Sequence, residues 1–258
     1  MAKPPKKSAR HGHILALLDG NPLLRVNELA AELCVSSETI RRDLNELEQT
    51  GRLARTYGGA IRSHGFEPAL TERLKLYIPQ RQRIASKALE FLGETDVLFI
   101  GGGATTLHFA RALREIKRRL NIITPAFAIA NELSANPLIQ VMALPGLVEP
   151  KEGLVHGTET LDAIRKYRPP LAVIGASGVN ADGVSEALMS AAQVYSTMIE
   201  NSEETLVLAD ASKFGHRALQ VITSWAPQCT LLCDMPPDTA LADIMRDGGA
   251  QWIVADTR

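Results

Sequence analysis

The chain has 258 residues, of which 45% are hydrophobic and 22% charged, and its formal net charge is −1. This length exceeds one small module and predicts two domains, the second large enough for a core of its own. Residues 1–62 hold ten Lys/Arg against seven Asp/Glu, about +3, whereas the remainder, with 18 basic and 22 acidic residues, carries about −4. Only the amino-terminal part therefore suits phosphate, and the acidic remainder disfavours contact with nucleic acid.

Several classes of protein are not expected from this composition. No apolar stretch is long enough to span a bilayer, and residues 1–10 lack the apolar core of a signal peptide, so we expect a cytosolic protein whose first ten residues form a disordered basic arm. The three cysteines form no paired motif, and the six histidines form no metal-binding cluster. We therefore expect packing thiols, and no disulfide framework, metal site or cofactor.

The first domain shows the pattern of a helix, a turn and a second helix. Apolar residues recur at helical spacing up to Leu33, the pattern breaks, and it restarts at i, i+4 and i+7 with Ile40, Leu44 and Leu47. Ser36 stands where an N-cap is needed, because its hydroxyl can accept a hydrogen bond from an unpaired amide of the next turn. The second helix is thus predicted to begin one residue later.

The outer arc of this second helix carries the residue types of a DNA-recognition helix. Arginine can bind a guanine edge or a phosphate through two parallel hydrogen bonds. Beyond Gly51, alternating polar and apolar residues and then paired glycines predict a small hairpin, or wing. An ordinary amphipathic helix pair with solvated arginines accounts less well for the cap, the restart and the hairpin together. The predicted DNA-binding residues are Ser36, Ser37, Thr39, Arg41, Arg42, Asn45, Arg52, Arg55 and Tyr57.

A polar run bracketed by Gly and Pro predicts a linker, which we place at residues 63–80. It separates a winged helix-turn-helix domain over residues 11–62 from an effector-binding and oligomerisation domain over residues 81–258. Helical spacing extends over residues 73–92, and short apolar runs typical of buried parallel strands then alternate with helical segments. This alternation predicts an α/β sheet. The predicted strands are 97–100, 121–124, 140–144, 171–174, 205–209, 230–233 and 252–255.

Ligands bind such sheets outside the carboxyl ends of the strands, so the loops that follow the strands are candidate sites. The first loop, Gly101 to Thr106, holds three glycines and two threonines and opens a helix, so its N–H groups can cradle an anion. It has neither the GxxxxGK[ST] nor the GxGxxG spacing of a nucleotide loop. Three glycines also suit a tight strand-to-helix turn without any ligand, and both interpretations stay open.

Two later loops, residues 175–183 and 210–215, are also polar and follow predicted strands. Lys213 can pair with a carboxylate or phosphate as a point charge, and Asp210 can orient it. A lysine in a loop is equally often solvated, and its position alone does not decide between the two interpretations.

The run Thr39 to Leu44, Thr-Ile-Arg-Arg-Asp-Leu, resembles the winged helix-turn-helix signature of the DeoR family of bacterial repressors. Residues 174–179 and 209–215 resemble motifs of its effector-binding domain, and residues 160–164 and 199–202 are similar to its glycerol-3-phosphate repressor branch. The resemblance runs through nearly the whole chain. It implies a domain related to the ribose-5-phosphate isomerase and CoA-transferase fold that senses phosphorylated sugars. The resemblance and the loops described above together give a set of candidate effector-binding residues, in which we include Glu186 and Tyr195. They are Gly101, Gly102, Gly103, Thr105, Thr106, Thr124, Gly146, Gly178, Glu186, Tyr195, Asp210 and Lys213.

The chain departs from this family at several positions. The family's first loop commonly begins with aspartate, where this chain has Gly101, and its second commonly reads Thr-Asn, where this chain has Thr124-Pro125. An acidic and a basic residue usual in the helix near residue 190 are here Ala191 and Tyr195. A lost carboxylate removes discrimination for sugar hydroxyls. We therefore expect a modified effector: a different or smaller phosphorylated polyol, or a less polar or larger ligand that uses the added space and Tyr195.

The sequence thus predicts a transcriptional repressor of a carbohydrate or polyol catabolic operon, which binds double-stranded operator DNA and changes its affinity when a small metabolite binds. We expect a homo-oligomer, either a dimer or a tetramer, because its symmetry would supply a pair of DNA-recognition helices. The alternative is a sugar-phosphate isomerase-like enzyme that carries a DNA-binding module, with Lys213, Asp210 and Glu186 as its acid–base set. A non-specific architectural DNA protein has no use for a carboxyl-terminal pocket.

Overall fold

A computed structural model describes residues 7–20, 25–49, 53–56, 59–62 and 67–255. The chain divides into two compact units, Met1–Pro68 and Ala69–Arg258. Each unit has its own hydrophobic core. The predicted linker over residues 63–80 is too long, because residues 69–80 belong to the second unit and include one short helix and the start of another.

The first unit contains three helices and a two-stranded antiparallel sheet. Its elements are α1 (Lys7–Gly20), α2 (Val26–Glu32), α3 (Ser37–Gln49), β1 (Leu53–Thr56) and β2 (Gly59–Arg62). The predicted apolar positions of α3, Ile40, Leu44 and Leu47, are all buried. They pack with residues of α1, α2 and β1 in one core, so the predicted helix, turn, helix and hairpin are confirmed in the described residues. The helix α1 was not predicted, and because it begins at Lys7 the expectation of a disordered arm is wrong for residues 7–10. Residues 1–6 of that arm lie outside the described residues.

The turn between α2 and α3 is formed as the sequence predicts, with one exception. The backbone amide of Thr39 donates to Ser36 Oγ at 3.1 Å, which is the expected N-cap bond. Cys34 in the same turn is exposed and has a φ of 52°, a left-handed conformation that ends α2. The expectation of a packing thiol is therefore wrong for Cys34. Cys229 and Cys233 are buried, and burial raises the pKa of both thiols to about 12.

The second unit is built on a seven-stranded parallel sheet. The strands of this unit are, in chain order, β3 (Val97–Ile100), β4 (Leu120–Thr124), β5 (Ile139–Ala143), β6 (Leu147–Glu149), β7 (Leu154–His156), β8 (Leu171–Gly175), β9 (Gly178–Asn180), β10 (Gly183–Glu186), β11 (Glu204–Leu208), β12 (Gln220–Thr223), β13 (Cys229–Cys233) and β14 (Gln251–Val254). The order in the large sheet is β14-β13-β11-β8-β3-β4-β5. Every predicted strand lies in this sheet, so the predicted α/β class is confirmed. From β3 the chain first builds towards β5 and then returns to the other side at β8, so the strand order switches between β3 and β8.

The helices of the second unit are α4 (Leu70–Arg73), α5 (Ile78–Ala88), α6 (Ala104–Arg114), α7 (Phe127–Leu133), α8 (Thr158–Ile164), α9 (Met189–Glu200) and α10 (Thr239–Asp247), with 3-10 turns at Leu89–Leu92 and Ala211–Lys213. The prediction of one continuous helix over residues 73–92 is wrong, because α4 ends at Arg73 and α5 begins at Ile78. Tyr77 has a φ of 54°, and Pro79 is the second residue of α5. Proline removes a backbone donor and clashes with the preceding turn, so a helix can begin at this point but not pass through it.

Two small antiparallel sheets were not predicted: the pair β6-β7 and the three strands β12-β10-β9. As a result, residues 175–183 are not simply a loop. They include the end of β8 and all of β9, which pairs with β10 across a turn that ends at Gly183 with a φ of 124°. An Asn-Ala-Asp-Gly run at this turn was the available signal, because Asn and Gly are favoured in tight hairpins.

Candidate DNA interface and ligand site

The outward face of α3 carries the predicted reading side chains. Arg41, Arg42 and Asn45 are exposed. Arg41 Nη1 lies 3.7 Å from Glu38 Oε2, and both side chains are more than half exposed. Such an exposed ion pair contributes little free energy, so it does not prevent Arg41 from turning to another acceptor. The face can therefore offer guanidinium and amide groups to a groove of DNA.

The hydroxyl groups at the start of α3 are used within the turn itself. Ser36 Oγ accepts from the amide of Thr39 and lies 2.8 Å from Thr39 Oγ1. Ser37 Oγ donates to Asn27 Oδ1 at 3.0 Å, which ties α3 to α2. In the free protein these three predicted DNA-binding residues shape the turn that carries the reading face.

The predicted wing is present as the β1–β2 ladder, in which Arg55 pairs with Ala60. Two of the predicted DNA-binding residues, Arg52 and Tyr57, lie outside the described residues.

An ion pair behind α3 was missed by the sequence analysis. Asp43 is 1% exposed and accepts from Arg10 on α1 through both oxygens, from Nε at 2.6 Å and from Nη2 at 3.0 Å. His11 Nε2 is 3.1 Å from Asp43 Oδ1. Burial by itself raises the pKa of Asp43, but the hydrogen bonds from Arg10 and His11 outweigh it and hold that pKa below its usual value. The available signal was a carboxylate beside Leu44 on the apolar face of a helix, because a buried charge needs a partner.

In the second unit, the glycine-rich loop lies where the strand order switches. It connects β3 to α6, beside the end of β8, and the amide of Gly101 donates to Val173 O at 2.8 Å. Gly101 and Gly102 are buried, and Gly103 has a φ of 137° at the residue before α6. In open α/β sheets, a switch point of this kind is where ligands bind.

Tyr195 fills the space beside this loop. Its side chain is 3% exposed, and its hydroxyl donates to Gly102 O at 3.1 Å. A Cβ at Gly101 would lie 3.0 Å from Tyr195 Cε1, closer than ordinary van der Waals contact. The expectation of added space next to Gly101 is therefore wrong, because the tyrosine ring occupies the room that a glycine leaves.

The candidate threonines and Glu186 are buried, and Thr106, Thr124 and Glu186 are hydrogen-bonded to nearby backbone. Thr105 is 8% exposed and Thr106 is fully buried, with its hydroxyl donating to Gly103 O at 3.2 Å. Thr124 Oγ1 accepts from the amide of Ala126 at 3.2 Å. Glu186 Oε1 accepts from the next two amides, at 2.8 Å and 3.1 Å. These groups preorganise the loops at this edge of the sheet.

Asp210 is bound by an arginine that the sequence analysis missed. Asp210 is 1% exposed, and its Oδ2 accepts from Arg81 Nε at 3.0 Å. Its other oxygen accepts from the amide of Ser212 at 3.2 Å and from the Ser212 hydroxyl. Arg81 lies on the same face of α5 as the buried Ile84, which was the available signal. Lys213 is half-buried in the 3-10 turn that Asp210 caps.

These contacts weigh against the acid–base set of the enzyme alternative. Asp210 is paired with Arg81, and Glu186 accepts from backbone amides, so both carboxylates are held in place by hydrogen bonds within the protein. A general acid or base instead needs a group positioned to exchange a proton with a substrate.

The two remaining candidate glycines are required by close packing. A Cβ at Gly146 would clash with Thr160 Oγ1 and His156 O, and Gly146 has a φ of 147°. A Cβ at Gly178 would clash with His216 O. Both glycines permit close backbone approach, and this packing by itself accounts for their presence.

A helix-turn-helix reader in the same chain as an α/β domain with a loop of this kind defines a DNA-binding regulator with a sensor domain. Residues 77–234 match the family described as the DeoR C terminal sensor domain, and residues 10–65 match the DeoR-like helix-turn-helix domain. The chain belongs to the DeoR family.

Curated relatives match along most of their length. The glycerol-3-phosphate regulon repressor of Escherichia coli (strain K12) is 30% identical over 94% of this chain and 96% of its own. The HTH-type transcriptional repressor CsqR of the same organism is 28% identical over 95% of this chain and 94% of its own. The HTH-type transcriptional repressor GlcR of Bacillus subtilis (strain 168) is 25% identical over 94% of both chains. The present chain is, like them, a transcriptional regulator.

Among solved structures, ribose 5 phosphate isomerase A from Neisseria gonorrhoeae is 22% identical, covers 53% of this chain and 54% of its own, and has a TM-score of 0.36. The translation initiation factor eIF-2B of Pyrococcus horikoshii OT3 is 14% identical over 86% of this chain and 79% of its own, with a TM-score of 0.42. In the described part of the chain, no helix is both long and apolar enough to cross a membrane.

Proposed function

We propose that this chain represses a carbohydrate or polyol catabolic operon, with residues 11–62 binding the operator and residues 81–258 binding a small effector that changes operator affinity. The observation that carries this proposal is the capped helix α3, which is anchored on an apolar core and exposes adjacent arginines. The family's sensor domain and the names of the curated relatives support the regulatory half.

Operator reading is assigned to Arg41, Arg42 and Asn45, with Ser36, Ser37, Thr39, Arg52, Arg55 and Tyr57 contacting backbone or flanking bases. Arg42→Ala should weaken binding to an operator selected from random duplexes by about 1–3 kcal/mol. Loss of discrimination at one base position would indicate an arginine on a base edge, and a shallower salt slope would indicate phosphate. Arg165→Ala is the matched control, because Arg165 is an exposed arginine at the end of α8 in the second unit. Unchanged binding by both Arg41→Ala and Arg42→Ala would contradict the assignment.

The effector is assigned to the edge of the sheet where β3 and β8 end. The backbone amides at the start of α6 can donate hydrogen bonds to an anionic group, and Lys213 can contribute a positive charge to the same site. Because Tyr195 fills the room beside Gly101, we favour the smaller of the expected ligands, a phosphorylated polyol. Gly103, Thr106, Thr124 and Glu186 would then shape the site through the hydrogen bonds described above, and Thr105 would line it at the start of α6.

A thermal-shift screen of the full-length protein tests this site, because a ligand of the native state raises apparent stability by mass action. Small polyol phosphates such as glycerol 3-phosphate should raise the melting temperature more than hexose 6-phosphates do, and their unphosphorylated counterparts should not raise it. Lys213→Ala should blunt the shift and the effector response while leaving operator affinity intact. Lys166→Ala, an exposed lysine elsewhere in this unit, is the control. A response to uncharged compounds alone would exclude an anion site.

Repeated operator half-sites need one recognition helix each, so we propose a homo-oligomer assembled through the second unit. Mass photometry at nanomolar concentration should detect a dimer or tetramer, and a monomer that still binds operator tightly would refute it. The same proposal expects no turnover of phosphorylated sugars in a coupled assay.

A further inference from the structure

The first unit contains a buried ion pair between two helices, in a core that is otherwise apolar. Arg10 on α1 binds both oxygens of Asp43 on α3, and the two side chains are 13% and 2% exposed. His11 adds a third contact to the same carboxylate. The core around them consists of aliphatic side chains from α1, α2, α3 and β1.

We propose that Asp43, held by Arg10, is a positioning residue that sets the rotation of α3 about its own axis and so aims Arg41 and Arg42. This inference rests on the proposed operator binding by α3.

The place of Asp43 on the helix supports this role. Successive residues of an α-helix are separated by about 100°, so Asp43 lies at the edge of the buried stripe that Ile40 and Leu44 form. Arg42 projects from the side opposite that stripe, and Arg41 projects from the flank that lies away from Asp43. A rotation of α3 that moved Asp43 away from Arg10 would swing both arginines sideways, and a base contact tolerates little displacement because bidentate hydrogen bonds are directional.

An apolar contact would not define the relative orientation of α1 and α3 in the same way. The hydrophobic effect is not directional, so apolar burial alone specifies the relative rotation of two helices less sharply than paired hydrogen bonds do. The fork of Arg10 instead meets both oxygens of Asp43, which defines one relative orientation of the two helices. Stability alone does not require the pair, because replacing both partners of a buried ion pair by apolar residues is often neutral.

This difference provides a test that separates positioning from folding. In the full-length chain, the double variant Arg10→Met, Asp43→Leu removes both charges, keeps apolar volume and leaves the net charge unchanged. The affinities for an operator selected by the wild-type protein and for a scrambled duplex are measured for both proteins, and hydrogen exchange of the α3 amides reports whether the helix remains folded. The double variant Lys7→Gln, Glu46→Gln is the matched control, because Lys7 and Glu46 form an exposed pair between the same two helices.

We expect the apolar double variant to keep the exchange protection of α3 but to lose about tenfold or more of its preference for the operator, the cost of one lost base contact. Its affinity for the scrambled duplex and its salt slope should stay unchanged, and the control should match the wild type. A protected α3 with an undiminished operator preference would overturn the inference. Absence of any operator preference in the wild-type protein would contradict the proposed function instead.

A more conservative variant keeps the inference testable if the apolar pair unfolds α3. Asp43→Asn preserves the shape of the side chain and weakens the bonds from Arg10 and His11. Its operator preference should fall while its scrambled-duplex affinity stays the same, and an unaltered preference would again overturn the inference.

Discussion

The two units each contain a buried aspartate bound by a distant arginine, and the two pairs differ in how the arginine distributes its donors. Arg10 directs two nitrogens at Asp43. Arg81 binds Asp210 through Nε and donates from Nη1 to Arg73 O at 2.5 Å, so it joins the turn after α4 to the loop after β11. The first arrangement fixes an angle between two helices, and the second fastens separate segments of the sensor unit together.

We therefore expect the loss of a buried charge to have different effects in the two units. In the first unit, loss of both charges should change what α3 reads more than whether it folds. In the second unit, loss of the arginine should affect folding itself, because the side chain of Arg81 is 3% exposed against 13% for Arg10, and Asp210 caps the turn that carries Lys213.

Arg81→Ala is expected to have the largest effect. It leaves the buried Asp210 without its charge partner, and breaking such a pair costs about 3–5 kcal/mol. Both tryptophans, Trp225 and Trp252, lie in the second unit, so their fluorescence during urea unfolding reports its stability. Arg165→Ala, which breaks an exposed pair with Asp162, should shift unfolding by less than about 1 kcal/mol. Equal effects of the two variants would remove the distinction between a fastening pair and a surface pair.

Gly101→Ala tests how tightly the ligand loop is packed. The added methyl would press on the ring of Tyr195, and overpacking of this kind costs about 1–3 kcal/mol. Gly175→Ala is the matched control at the end of the neighbouring strand, because the nearest atom to its Cβ would be 3.8 Å away. The unfolding midpoints of the two variants, measured side by side, should differ in this order. A harmless Gly101→Ala would mean that the loop is free to move.

Ser36→Ala tests the stability of the first turn of the recognition helix α3. It removes the N-cap bond of α3, which is worth about 1 kcal/mol, and hydrogen exchange in the first turn of α3 should quicken accordingly. Ser36→Asp should retain protection, since aspartate is an equally good N-cap. If both substitutions were silent, the turn would be held by its core contacts alone.

The smallest expected effect is that of acid on the first unit. Because the folded pKa of Asp43 lies below its usual value of 3.8, the pair contributes stability above that pH, and the contribution is lost as the pH falls further. Exchange rates of α1 and α3 amides, corrected for intrinsic exchange, should therefore show weaker protection at pH 3 than at pH 6. Asp43→Asn should abolish this difference, and a persistent difference in that variant would assign it to another group.

Local pattern was sufficient for much of this molecule. The spacing of Ile40, Leu44 and Leu47 determined the buried face of α3, and Ser36 determined its start, because both signals act within one or two turns of a helix. The seven strands of the large sheet were likewise predictable from their short apolar runs. In the central strands β3, β8, β11 and β13 these runs are buried on both faces, whereas the edge strands β5 and β14 are partly exposed. The glycine-rich loop followed from its place between a strand and a helix.

Contacts between residues far apart in the chain were decided by the tertiary structure. Asp43 and Arg10 are 33 residues apart, Tyr195 and Gly102 are 93 apart, and Arg81 and Asp210 are 129 apart. The sequence determined that an aspartate lies at the edge of the apolar face of α3 and that a tyrosine stands where the family commonly has a basic residue, but not what either one contacts. A buried charge or hydroxyl must be paired, and its partner is set by which elements pack together, which no local pattern of residues encodes.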